Sequence, residues 1–229
     1  MATITSKLQH EGYTVYARQM PSVGNSTPDK GLHKDITAAC DLVSEAIGEG
    51  NDVVVVAHSW GGVVAGSALA GLGKKERTAE GKKGGVIKTA YMAAFILPEG
   101  VSLMDAIQHG VREWQDIDQP YAPATGPGLI YNDLSEAEQQ YWQSQLQTQD
   151  MATFHAKTTA ASWQNIPTSY LLCENDMAIP AELQERMALS VKEAGAEIEV
   201  TRLESGHSPF LSKPDETVEW LRKVAGEKL

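Results

Sequence analysis

At 229 residues, 42% apolar and 21% charged, the chain has the size and balance of one globular domain with a substantial core. A formal net charge of −11 removes the basic footprint of a nucleic-acid binder and disfavours adsorption to anionic membrane surfaces. Two cysteines, Cys40 and Cys173, make no disulfide framework, and no apolar leader or membrane-length apolar run occurs, so a reduced, cytoplasmic setting is expected.

Short apolar strands alternate with helical segments, which predicts an α/β fold with a mostly parallel sheet flanked by helices, in one domain over 1–229. A helical stretch around Thr5–His10 leads to a first strand at Gly12–Ala17, then a loop through Pro21 and the Gly24–Pro28 cluster. Asp35–Ile47 carries Ile36, Ala39, Cys40, Val43 and Ile47 at helical spacing and stops at Gly48 and Gly50. The run Val53-Val54-Val55-Val56-Ala57 has no alternation, as expected for a central strand covered on both faces. Gly62–Leu72 reads as a small-residue helix that can approach the sheet closely, and Lys74–Lys83 as a solvated charged loop. Further strands are predicted at Val86–Phe95, Thr168–Cys173 and Glu197–Leu203, and a closing amphipathic helix from Asp215. Between the strands at 86–95 and 168–173 lies an insertion, roughly Pro98–Pro167, expected to form a helical cap. It holds Trp114, Trp142 and Trp163, and Ser135-Glu136-Ala137-Glu138 offers a capping box.

Ala57-His58-Ser59-Trp60-Gly61-Gly62 joins the all-valine strand to the small-residue helix. That is the arrangement of a nucleophile elbow with alanine in place of the first glycine. A serine on such a strained turn projects above the sheet, and small residues two before and two after it avoid collision with strand and helix. The helix N-terminus places the Trp60 N–H where an oxyanion would form. A serine hydroxyl needs a base, and the base an orienting acid. His207, in Gly206-His207-Ser208-Pro209 after the last strand, fits the base. His10, His33, His109 and His155 lack a preceding strand, and His58 should point behind the elbow. Asp176, in Glu174-Asn175-Asp176-Met177-Ala178-Ile179-Pro180, fits the acid, with Glu174 as competitor.

These three stretches, with Ala93–Gly100, resemble the α/β-hydrolase superfamily over nearly the whole chain from about Thr5, most closely its small esterase and hydroxynitrile-lyase-like branch. The resemblance implies a triad of Ser59, Asp176 and His207. The family usually begins with further strands, one ending in a loop that supplies a second oxyanion N–H and lying between the strands matching Tyr13–Ala17 and Val53–Ala57. No strand with a Gly-rich turn precedes Gly12. Either the chain is N-terminally shortened, or the Tyr13 strand pairs directly with the Val53 strand. Only Trp60 can then be assigned as an oxyanion donor.

The function expected is a serine hydrolase acting on a small-molecule ester or lactone through an acyl-enzyme. Alternatives are a lyase using the same triad, or a non-catalytic binding protein that kept the pocket. Trp114, Tyr131, Trp142, His155 and Trp163 are candidate pocket residues or packing. The histidines and cysteines lack metal-ligand spacing and Gly61-Gly62 is no phosphate loop, so no cofactor or metal is expected. Nothing in the sequence specifies an oligomeric state.

Overall fold

The computed structural model describes residues 1–24, 31–107, 121–122 and 127–229. The chain begins with helix α1 (Ala2–His10), which buries Ile4, and continues after a long connection into α2 (His33–Ile47). Gly48, at φ +46°, ends α2 in a backbone conformation that glycine adopts without a side-chain clash. Strand β1 (Asp52–His58) runs through the elbow into α3 (Gly61–Ala68), and α4 (Lys74–Ala79) precedes β2 (Gly85–Met92). The segment up to the next long strand holds α5 (Leu103–Ile107), β3 (Tyr121–Ala122), α6 (Pro127–Ile130), α7 (Glu136–Ser144), β4 (Gln149–Asp150) and α8 (Ala152–His155). Strand β5 (Thr168–Cys173), α9 (Ala181–Glu193), β6 (Ile198–Leu203), α10 (Pro209–Ser212) and α11 (Pro214–Val224) complete it. No described helix is long and apolar enough to cross a membrane.

The long strands form one parallel sheet in the order β1-β2-β5-β6, and β3 pairs antiparallel with β4. The register sets His58 beside Met92, Met92 beside Leu171, and Cys173 beside Leu203. The carboxyl ends of β1 and β2 are therefore level, β5 and β6 run two residues further, and the loops leaving β1, β5 and β6 emerge along one edge of the sheet. Pleating sends alternate residues to opposite faces. Ala90, Met92 and Leu171 meet Ile4 of α1 and Val218, Trp220, Leu221 and Val224 of α11. Tyr91, Tyr170 and Leu172 belong to the larger core with Val43 and Ile47 of α2, Val63 and Val64 of α3, and Met187 and Val191 of α9.

Four expectations need correction. Gly12–Ala17 forms no strand: among the described residues it pairs with no neighbour, and Tyr13 and the adjoining Arg18 are taken up elsewhere, Tyr13 on Glu227 and Arg18 on Glu45 at 3.0 Å. The Tyr13 segment therefore does not pair with the valine run. Strand β1 is an edge strand and not a central one; its faces are packed by Val53, Val54 and Val55, but Val56 remains 41% exposed. Lys74–Lys83 begins as a helical turn, because Arg77 donates to the carbonyls of Gly84 and Lys83 and ties the excursion back to β2. The helix after the elbow stops at Ala68, with Leu69–Leu72 continuing as a turn. The capping box forms as expected: Ser135 Oγ accepts from the Glu138 N–H, and the Glu138 carboxylate accepts from the Ser135 N–H.

Candidate active site

Ser59 follows β1 directly and has φ +54°, a left-handed conformation that a non-glycine residue holds only when its surroundings enforce it. The enforcement comes from the end of β2. The Ser59 N–H donates to the Met92 and Ala93 carbonyls at 3.3 and 3.2 Å, and the Ser59 carbonyl accepts from Phe95 N–H at 3.1 Å. Ala93 is itself left-handed, at φ +41°. The Tyr170 hydroxyl locks this stretch by donating to the Ala94 carbonyl at 2.6 Å and accepting from its N–H at 3.2 Å. The demand for a small residue falls on Gly62 and not on Gly61. A Cβ at Gly62 would sit 2.0 Å from the Phe95 carbonyl oxygen, whereas one at Gly61 would meet nothing within 4 Å.

The loop after β6 brings His207 over Ser59, with Nε2 to Oγ at 2.9 Å. On the other side of the ring, Nδ1 lies 2.8 Å from Asp176 Oδ2. A carboxylate only accepts, so Nδ1 carries the proton, and neutral Nε2 is left to accept from the serine hydroxyl. Asp176 is fixed from every side: Oδ1 accepts from the Ala178 and Ile179 N–H groups, both at 2.8 Å, and Oδ2 also accepts from Gln184 Nε2 at 3.1 Å. The carboxylate is fully buried and His207 is 3% exposed, so these contacts work with little screening by water. Glu174 points outward to Arg202, at 3.4 Å, and does not join them. Gln184 is the residue that sequence reasoning missed. It is wholly buried on the face of α9 that carries Met187, Ala188 and Val191, and a glutamine on an apolar stripe was the available signal.

His58 lies behind the elbow, as expected. Its Nε2 is 2.8 Å from the His207 carbonyl, which can only accept, so Nε2 carries the proton. Burial first, and the neighbouring His207 second, hold His58 down at about 3. A histidine held neutral in the folded state binds fewer protons than the unfolded chain below about pH 6.5. Its contribution to stability is therefore intact above that pH and is lost as pH falls toward 3. Denaturant midpoints at pH 7 and pH 5 should differ less in His58→Gln, which keeps an N–H donor without a titrating ring, than in the wild type. Burial also pushes the Cys173 thiol up to about 12, which keeps it protonated and unreactive.

Of the insertion residues, Trp163 is buried and donates to the Leu97 carbonyl at 2.9 Å, a packing role. Tyr131 is buried, Trp142 is half-buried edge-on to Tyr141, and His155 is exposed at the end of α8. Trp114 and His109 lie outside the described residues. Phe154 of α8 reaches the elbow, with its ring centroid 6.3 Å from that of Trp60. Among the described residues the Trp60 N–H, at the start of α3, has no intramolecular acceptor. The surface depressions between α1 and α11 and between β6 and α11 include none of Ser59, Asp176 and His207.

A serine on a left-handed turn, a histidine within hydrogen-bond reach and a buried carboxylate behind it, at the carboxyl edge of a parallel sheet, direct attention to one family. The alpha/beta hydrolase family model matches residues 1–220. The chain belongs to the alpha/beta hydrolase family. It is 31% identical over 233 residues to the alpha/beta hydrolase nvfD of Aspergillus novofumigatus (strain IBT 16806), covering 99% of this chain and 91% of that protein. It is 24% identical over 247 residues to methylesterase 10 of Arabidopsis thaliana, covering 98% of this chain and 86% of the relative. The crystal structure of the methylesterase protein MES16 from Arabidopsis superposes with a TM-score of 0.71 at 19% identity, covering 98% of this chain and 92% of that one, a likeness of fold. Within this hydrolase fold the elbow and the loops carrying Asp176 and His207 leave β1, β5 and β6, and the shared direction of these parallel strands, which brings their carboxyl ends to one edge, is what lets three residues distant in sequence meet.

Proposed function

We propose that the protein is a serine hydrolase that cleaves a small ester or lactone through an acyl-enzyme. The observation that carries this reading is the continuous chain from Ser59 Oγ to His207 Nε2 at 2.9 Å and from His207 Nδ1 to Asp176 Oδ2 at 2.8 Å. Ser59 Oγ attacks the substrate carbonyl while its proton passes to His207 Nε2. Asp176 holds the ring in the required tautomer and offsets the charge of the imidazolium that forms. The Trp60 N–H, reinforced by the positive end of α3, donates to the developing oxyanion. His207 then returns the proton to the departing alkoxide, and water, deprotonated by the same nitrogen, hydrolyses the acyl-serine. The methylesterase among the relatives supports an ester as the substrate class.

The test is the intact mass of the protein after treatment with a fluorophosphonate. One adduct on the wild type and none on Ser59→Ala is expected. A folded wild type that takes no adduct would overturn the hydrolase reading and leave a protein that binds a ligand without turning it over.

A further inference from the structure

The turn Tyr131–Leu134, between α6 and α7, reaches across to both loops that carry the residues behind Ser59. Asn132 Nδ2 donates to the Asn175 carbonyl at 2.9 Å, one residue before Asp176. Asp133 Oδ2 accepts from the Gly206 N–H at 2.5 Å, one residue before His207. Gly206 is packed flat against the pair: a Cβ there would lie 2.6 Å from Asn132 Oδ1 and 2.6 Å from Asp133 Oδ1. On the far side of the histidine, His58 donates to the His207 carbonyl at 2.8 Å. His207 is thus gripped at its ring by Asp176 and at its carbonyl by His58, while Asp133, in the segment inserted between β2 and β5, holds the residue before it.

We propose that Asn132 and Asp133 are positioning residues that clamp the acid loop to the histidine loop and so set the reach of His207 Nε2 to Ser59 Oγ. A hydrogen bond from a backbone N–H to a carboxylate is among the stronger ones available to a protein, and this one fixes Gly206, the residue just before the one from which the imidazole is suspended. A shift of about 1 Å in such a group is enough to cost about 10²-fold in rate. Neither residue touches the reacting atoms; each acts through the loop it holds. The consequence for rate rests on the ester-hydrolase reading, whereas the effect on the His207–Asp176 hydrogen bond does not.

The experiment compares the wild type with Asp133→Leu, Asp133→Asn and Gly206→Ala, each checked for folding by circular dichroism. Two readouts are taken: turnover of p-nitrophenyl acetate, and the downfield proton resonance of His207 Nδ1, assigned by its loss in His207→Ala. In Asp133→Leu, kcat is expected to fall about 10- to 100-fold with KM within about 3-fold, and the Nδ1 proton to broaden through faster exchange. Asp133→Asn still presents an acceptor oxygen and should keep the resonance and most of the rate. Gly206→Ala leaves the carboxylate in place but wedges the clamp open, so it should behave like Asp133→Leu; it also decides the question should Asp133→Leu fail to fold. An unchanged Nδ1 resonance and unchanged kcat in Asp133→Leu, or in Gly206→Ala if that is the variant that folds, would overturn the clamp. A wild type that turns over no ester, yet loses the resonance in Asp133→Leu, would sink the hydrolase reading and leave the clamp standing.

Discussion

Ser59→Ala is expected to lower kcat for a p-nitrophenyl ester by about 10⁶-fold, the loss that follows removal of the nucleophile from a group acting as a unit. The variant deletes one oxygen and keeps the backbone contacts that hold the turn, from the Ser59 N–H to β2 and from Phe95 N–H to the Ser59 carbonyl. Alanine meets the same left-handed backbone at φ +54° as serine does, so folding should be unaffected. Any residual rate above water would come from substrate binding and the Trp60 N–H, which do not depend on the hydroxyl. Steady-state kinetics beside a thermal melt separate the two effects. A loss under about 10-fold in folded protein would place the nucleophile elsewhere.

Asp176→Asn should cost about 10⁴-fold in kcat with the fold intact. The reason lies in the donors around the carboxylate. The Ala178 and Ile179 N–H groups would both select the amide oxygen of the new asparagine for the Oδ1 position, turning its NH₂ toward His207. The imidazole would then accept at Nδ1 and carry its proton on Nε2, facing a serine hydroxyl it can no longer deprotonate. The same NH₂ would meet the Gln184 Nε2 donor, 3.1 Å from the carboxylate in the wild type, a donor-to-donor contact that destabilises this orientation without an acceptor to replace it. Glu174→Gln is the control. Its carboxylate is 41% exposed and paired with Arg202, so kcat should stay within about 3-fold of wild type. A deficit in Glu174→Gln comparable to that of Asp176→Asn would show that the acid has been assigned to the wrong residue.

The parts of the site legible in the sequence are those written in contiguous residues. The valine run, the serine and the small-residue helix specify a strand, a tight turn and a helix through local sterics alone, and the histidine stands out because it follows the last strand. Asp176 and Glu174 are two residues apart on one loop, and the sequence named Asp176 with Glu174 as competitor. The structure places Asp176 against His207 and turns Glu174 to solvent because the Ala178 and Ile179 amides and Gln184 converge on the first carboxylate only. Gln184 left a faint trace as a polar residue on an apolar stripe. Asn132 and Asp133 left none, since nothing in a turn's composition says which distant loop it will touch.

The fold divides the same way. The amino-acid sequence by itself determined the α/β class, the positions of the four long strands and of helices α1, α2, α3, α7 and α11, the capping box at Ser135 and the residue types of the site, because periodicity, caps and turn chemistry act over a few residues. Only the tertiary structure decided which of those segments have neighbours. Val53–Ala57 reads as a central strand by its side chains, yet it lies at the sheet edge; Gly12–Ala17 has strand composition but no ladder to join. A strand exists by hydrogen bonding to another part of the chain, and a glycine such as Gly62 is required by a carbonyl from a different strand end. Both are facts about proximity across the fold, which local propensity does not encode.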